Sequence, residues 1–159
     1  MIAHAGLIAT RLGGPWRGVL IEGPSGAGKS DLALRCLDAG FRLVADDRVE
    51  LFVSQGRLFG APPGPLAGLI EARGLDILAV SPLPLAEVAL VVRLGATERL
   101  PEPESAEILG VCLPALTLAP LEASAPAKLS RALALFDGET NRRMKLRAWP
   151  SGRAGGDTP

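Results

Sequence analysis

The stretch Gly23-Pro24-Ser25-Gly26-Ala27-Gly28-Lys29-Ser30 places two glycines, a lysine and a serine at the spacing G-x-x-x-x-G-K-[ST]. Glycines at that spacing let the backbone curl so that successive N–H groups converge on phosphate oxygens. A helix starting near Lys29 would add the positive end of its dipole to the same point. Lys29 has the length to reach β- and γ-phosphates, and the Ser30 hydroxyl suits Mg²⁺. The pattern implies binding of a nucleotide phosphate. By itself it does not separate a kinase from a GTPase or an ATPase.

Two adjacent acids, Asp46 and Asp47, follow the apolar run 41–45. One helix and one strand separate them from the glycine-rich loop, which leaves both within reach of a γ-phosphate. Neighbouring strand residues point to opposite faces, so the two acids are expected to do different work. One would contact a metal or a neighbouring group, and the other would act as base toward an attacking hydroxyl. The competing reading is an ordinary Asp-Asp-Arg surface turn. Glu71-Ala72-Arg73-Gly74 is a further polar cluster, pairing a carboxylate for metal with a guanidinium for phosphate. An exposed Glu–Arg pair is common enough to mean nothing alone.

These residues need a scaffold. Residues 18–23 read as a buried strand leading into the loop, and residues 30–39 as the helix leaving it, stopped by Gly40. A strand over 41–45 delivers the acid pair. Residues 49–53 and 57–61 read as a hairpin around Ser54-Gln55-Gly56. Further strands are expected at 7–10, 75–80, 88–94 and 116–118. Short and longer helices are expected at 66–71 and 127–136. Residues 62–65 and 101–105 read as loops. The run Asn141-Arg142-Arg143-Met144-Lys145-Leu146-Arg147 is basic, either a solvated helix end or a docking patch for an acidic or phosphorylated partner.

The 159 residues fit one domain, and 48% of them are apolar. Seventeen Lys and Arg balance seventeen Asp and Glu, which argues against a dedicated nucleic-acid binder. His4 is the sole histidine, and Cys36 and Cys112 form no ligand spacing, so a structural zinc site is excluded. Both cysteines are expected as buried free thiols. The chain lacks an apolar run of about 18 residues and a signal-peptide start, so no membrane span and a cytoplasmic location are expected.

At this point a family comes into view. Residues 18–34, with the glycine-rich loop, resemble the phosphate loop of HPr kinase/phosphorylase, the serine kinase of the bacterial phosphocarrier HPr. Gly40-Phe41-Arg42-Leu43-Val44-Ala45-Asp46-Asp47 is similar to that family's second signature. Glu71-Ala72-Arg73-Gly74-Leu75-Asp76-Ile77 is similar to its third, with Asp76 where the family usually carries glycine. The resemblance runs roughly from His4 to Leu135 and is to the short form, the C-terminal catalytic domain alone.

The resemblance implies an α/β fold, a P-loop-containing mixed sheet like that of HPr kinase and, more distantly, phosphoenolpyruvate carboxykinase. A catalytic domain of that kind is expected over 1–150, and the Gly/Pro-rich residues 151–159 read as a flexible tail. ATP and Mg²⁺ would be the nucleotide and metal, HPr or an HPr-like phosphocarrier the protein substrate, and a homo-oligomer the assembly. The function implied is ATP-dependent serine phosphorylation within control of the phosphotransferase system and carbon metabolism, with reversal by phosphorolysis. Gly23, Pro24, Ser25, Gly26, Ala27, Gly28, Lys29 and Ser30 would hold the nucleotide. Lys29 and Arg73 would stabilise the phosphates, and Ser30 and Glu71 would serve the metal. Asp47, with Asp46 beside it, would be the acid/base residue, and His4 would stand for the active-site histidine. The family's later Pro-Gly-Arg-Asn stretch has no match; Lys128 is the cation available in its place. The alternatives are a P-loop small-molecule kinase and a regulatory protein that senses nucleotide without turnover.

Overall fold

The computed structural model describes residues 1–136. The basic run at 141–147, the domain limit at 150 and the tail at 151–159 lie outside the described residues. In chain order the elements are β1 (Ile2–Arg11), β2 (Trp16–Glu22), α1 (Lys29–Asp38), β3 (Arg42–Ala45), β4 (Arg48–Ser54) and β5 (Arg57–Ala61). A 3-10 turn at Gly64–Leu66 precedes β6 (Leu69–Ala72) and β7 (Asp76–Ala79). Then come β8 (Ala86–Leu94), β9 (Glu104–Ile108), β10 (Val111–Leu118) and α2 (Ala125–Leu135).

The expected mixed sheet is present. Strands β2, β1, β4, β5 and β8 lie side by side, and β8 pairs back onto β2, so these five close a ring. β10 and β9 continue from β8. The ring gives the strands two buried faces, which is why β2 and β8 are continuous apolar runs rather than alternating ones. Val19 and Ile21 face α1 and α2 in a cluster with Leu32, Cys36 and Leu129. Leu20 faces the other way, among Leu7, Leu51 and Leu58.

Two features of the topology position the site. First, β2, β8 and β10 are mutually parallel, so their carboxyl ends open on the same side. Second, β3 and β4 lie along one edge of β1, with Asp46 and Asp47 as the kink between them. The start of β1 thereby runs beside that kink, and the Ala5 N–H donates to the Asp47 carbonyl at 3.1 Å.

Several expected elements differ. Residues 66–71 are not a helix. Gly68 has φ +76°, and a Cβ there would lie 2.7 Å from the Val80 carbonyl oxygen. The 3-10 turn closes at Ala67, just before that glycine, and β6 follows with Ile70 and Ala72 buried and Leu69 and Glu71 exposed, a period of two. The strand expected at 7–10 spans Ile2–Arg11. The strand at 116–118 extends back to Val111, and part of the loop at 101–105 belongs to β9. The cysteines are free as expected, but only Cys36 is buried; Cys112 is exposed. Burial pushes the Cys36 thiol up to about 12 against the opposing pull of the Arg35 cation. No helix among the described residues is long and apolar enough to cross a membrane.

Candidate active site

The loop at 23–30 leaves β2 and ends in the first turn of α1. Gly28 is the helix N-cap, at φ +100°, a left-handed conformation that L side chains rarely adopt. Lys29 is nearly buried. Its Nζ donates to the carbonyls of Gly23 at 2.6 Å and Pro24 at 3.0 Å, so its charge sits at the mouth of the loop. Asp31 in the first turn and Arg35 in the last complement the helix dipole.

The two aspartates part company, as expected, though the cause is the kink rather than strand alternation. Asp46 is buried and accepts from the Ser30 hydroxyl at 2.8 Å and from the Glu71 N–H at 3.3 Å. Asp47 adopts φ +68° and turns its half-exposed carboxylate outward. There it meets His4 Nδ1 at 3.2 Å. The other ring nitrogen, Nε2, lies 3.4 Å from Ser25 Oγ. A neutral imidazole satisfies both neighbours, donating from Nδ1 to Asp47 and accepting at Nε2 from the Ser25 hydroxyl.

These groups line one cleft of about 320 Å³, which brings together His4, Ser25, Lys29, Ser30, Asp47, Glu71 and Arg73. Asp46 lies behind Ser30 as the buried anchor of that wall. Asp76 is on the hairpin outside the cleft, its carboxylate accepting from the Ile77 N–H at 2.8 Å. Lys128 is not brought in. It pairs with Glu122 and lines a separate groove with Leu116 and Leu135.

Among the described residues no three His, Cys, Asp or Glu side chains gather as a metal cage. Mg²⁺ does not need one; it is held by one or two carboxylates together with phosphates and water. Ser30, Asp46 and Glu71 make a donor set of that kind, with the Ser30–Asp46 contact showing that hydroxyl and carboxylate converge.

Sequence reasoning missed Arg35. Its Nε donates to Asp31 at 3.0 Å, and its terminal nitrogens donate to the carbonyls of Pro120 and Glu122. The i,i+4 spacing from Asp31 was the available signal. Nothing in the sequence signalled the contact between Ser25 and His4.

The family model for the HPr serine kinase C-terminal domain matches residues 14–119, which contain the loop, both aspartates, Glu71 and Arg73. The HPr kinase/phosphorylase of Limosilactobacillus reuteri is 37% identical over 134 residues, 75% of this chain and 40% of that protein. That of Clostridium tetani is 47% identical over 66 residues, 42% of this chain and 22% of that protein. The chain thus spans well under half the length of these curated relatives. The solved HPr(Ser) kinase/phosphatase of Coxiella burnetii superposes with a TM-score of 0.72 at 26% identity, covering 92% of this chain and 99% of that one. With the family model matched over most of its length, this chain belongs to the HPr serine kinase C-terminal domain family.

Proposed function

We propose that this chain transfers the γ-phosphoryl group of ATP to a serine hydroxyl of an HPr-type phosphocarrier protein. The observation that carries the reading is the single cleft that joins the glycine-rich loop to the His4–Asp47 pair. Relatives named HPr kinase/phosphorylase support the choice of substrate.

The triphosphate would lie against the N–H groups of the loop and the first turn of α1. Lys29 would exchange its carbonyl partners for β- and γ-phosphate oxygens and offset charge as the phosphoryl group leaves ADP. Ser30, Asp46 and Glu71 would hold Mg²⁺, which when bound neutralises phosphate charge. Asp47 stands at the open side of the cleft, where a protein loop can enter. Its carboxylate would take the serine proton as the new P–O bond forms. His4 would fix the carboxylate through Nδ1 and be fixed in turn by Ser25. Arg73 would face the transferring group from the hairpin. In reverse, inorganic phosphate would attack the phosphoserine phosphorus, the P–O bond to serine would break with a protonated Asp47 returning its proton to the serine oxygen, and pyrophosphate would leave.

Intact mass of HPr after incubation with the chain, ATP and Mg²⁺ tests this. The expected result is addition of one phosphate, lost when the acceptor serine is replaced by alanine. ATP binding without any mass shift would overturn the kinase reading. It would favour nucleotide sensing, the alternative suggested by Lys128 being engaged with Glu122 outside the cleft.

A further inference from the structure

Two hydroxyls line the cleft, and their partners differ. Ser30 Oγ donates to the Asp46 carboxylate at 2.8 Å, on the side suited to a metal. Ser25 Oγ faces an imidazole nitrogen instead, His4 Nε2 at 3.4 Å. Behind that ring, Nδ1 meets the Asp47 carboxylate at 3.2 Å. A hydroxyl, a base and an acid that orients the base thus stand in line. They come from the glycine-rich loop, the start of β1 and the kink after β3. That order of groups is the one that makes a serine a nucleophile. With the Nδ1 proton committed to Asp47, the lone pair at Nε2 is left toward Ser25.

The loop fixes the hydroxyl. The Ala27 N–H donates to the Pro24 carbonyl at 3.1 Å, closing a four-residue turn with Ser25 and Gly26 at its corners. Gly26 has φ +81°, which such a corner tolerates only because it carries no Cβ. Ser25 is exposed, and Lys29 Nζ lies beside its segment, bonded to the carbonyls of Gly23 and Pro24. The electrophile suited to such a loop is a phosphoryl group, whose oxygens the loop N–H groups and the start of α1 can stabilise.

Resting on the kinase reading above, we propose that Ser25 is itself a phosphoryl acceptor, so that the chain phosphorylates its own loop when ATP is bound without a protein substrate. Ser25 Oγ attacks the γ-phosphorus, and its proton passes to His4 Nε2. The bond from the γ-phosphorus to the β,γ-bridging oxygen breaks, and ADP leaves with the electron pair. Asp47 holds the imidazolium, which then gives its proton to water. Phosphate on Ser25 lies at the mouth of the loop beside Lys29, and its charge opposes a second triphosphate.

Intact mass and peptide sequencing of the full chain after incubation with ATP and Mg²⁺, with and without HPr, test this. The expected result without HPr is one phosphate on Ser25, absent from Ser25→Ala. Its first-order rate should not depend on chain concentration, because donor and acceptor share one loop. His4→Gln should slow it about 10²-fold or more, against about tenfold for transfer to HPr, since His4 is the base in one reaction and a positioning residue in the other. Equal slowing of the two would overturn the role of His4 as base. An unmodified Ser25 in a chain that phosphorylates HPr would overturn the proposal and leave the kinase reading standing. Phosphate on another residue, or a rate that rises with chain concentration, would do the same. A chain that phosphorylates neither itself nor HPr would overturn the kinase reading, and the proposal with it. Ser25 modified while HPr stays unmodified would support the proposal and count against HPr as the protein acceptor.

Discussion

The loop at 23–30 and the group formed by His4, Asp47, Glu71 and Arg73 face one cleft, yet they come from different kinds of chain. The loop is continuous. Its shape follows from positive φ at Gly26 and Gly28 and from the helix that starts at Lys29, so its working groups are mostly backbone. The other wall is assembled from three distant places: the start of β1, the kink after β3, and the β6–β7 hairpin. Only side chains act there, and each is placed by a neighbour rather than by its own segment. Asp46 spans the two constructions, touching Ser30 on one wall and the Glu71 backbone on the other. One wall is thus a local property of the sequence and the other a property of the fold.

Substitutions on the two walls should therefore act differently. On the loop wall, Lys29→Ala is expected to reduce phosphoryl transfer by about a thousandfold or more, read as loss of the HPr mass shift. Across the cleft, Asp47→Asn should lower the transfer rate about 10²- to 10⁴-fold while ATP affinity holds within about twofold. Comparable damage to ATP binding by both variants would erase the distinction between the walls. His4→Gln is expected to cost about tenfold in rate, since it disturbs only the orientation of Asp47; single-turnover kinetics would show it. The smallest effect is expected at Cys112. Alkylation of the native chain should modify this exposed thiol, leave transfer unchanged and spare Cys36, whose burial keeps it protonated; mass spectrometry would count the adducts.

The same division explains what could be read in advance. The loop, α1, β3 with its acid pair, and the β4–β5 hairpin around Ser54-Gln55-Gly56 are each encoded within a dozen or so neighbouring residues. The failures have tertiary causes. Leu66, Leu69 and Ile70 carry helical spacing, but the close approach of Gly68 to Val80 turns the chain into a strand. His4-Ala5-Gly6 has little strand character; its place in β1 comes from β4 and β2 on either side. The strand expected at 116–118 starts earlier because Val111 to Ala115 pair with β9. The pairing of His4 with Asp47 was beyond sequence reasoning for the same reason, since the Ala5–Asp47 backbone contact that brings them together is a product of the closed ring.

The β6–β7 hairpin forms a two-stranded sheet separate from the main one, anchored through Ile70 and Ala72, with Leu75 and Ile77 in the open. A two-stranded ribbon is barely stable by itself. Its opening therefore belongs to the low end of the molecule's range of local unfolding energies, while the ring strands belong to the high end. Glu71 and Arg73 would swing away together in that opening, and the Asp46–Glu71 backbone bond would break with it. A ligand that touches both walls must hold the hairpin shut, so amide hydrogen exchange at Ile70 and Glu71 should slow when it binds. Part of the ligand's intrinsic affinity is thus spent on keeping the site assembled.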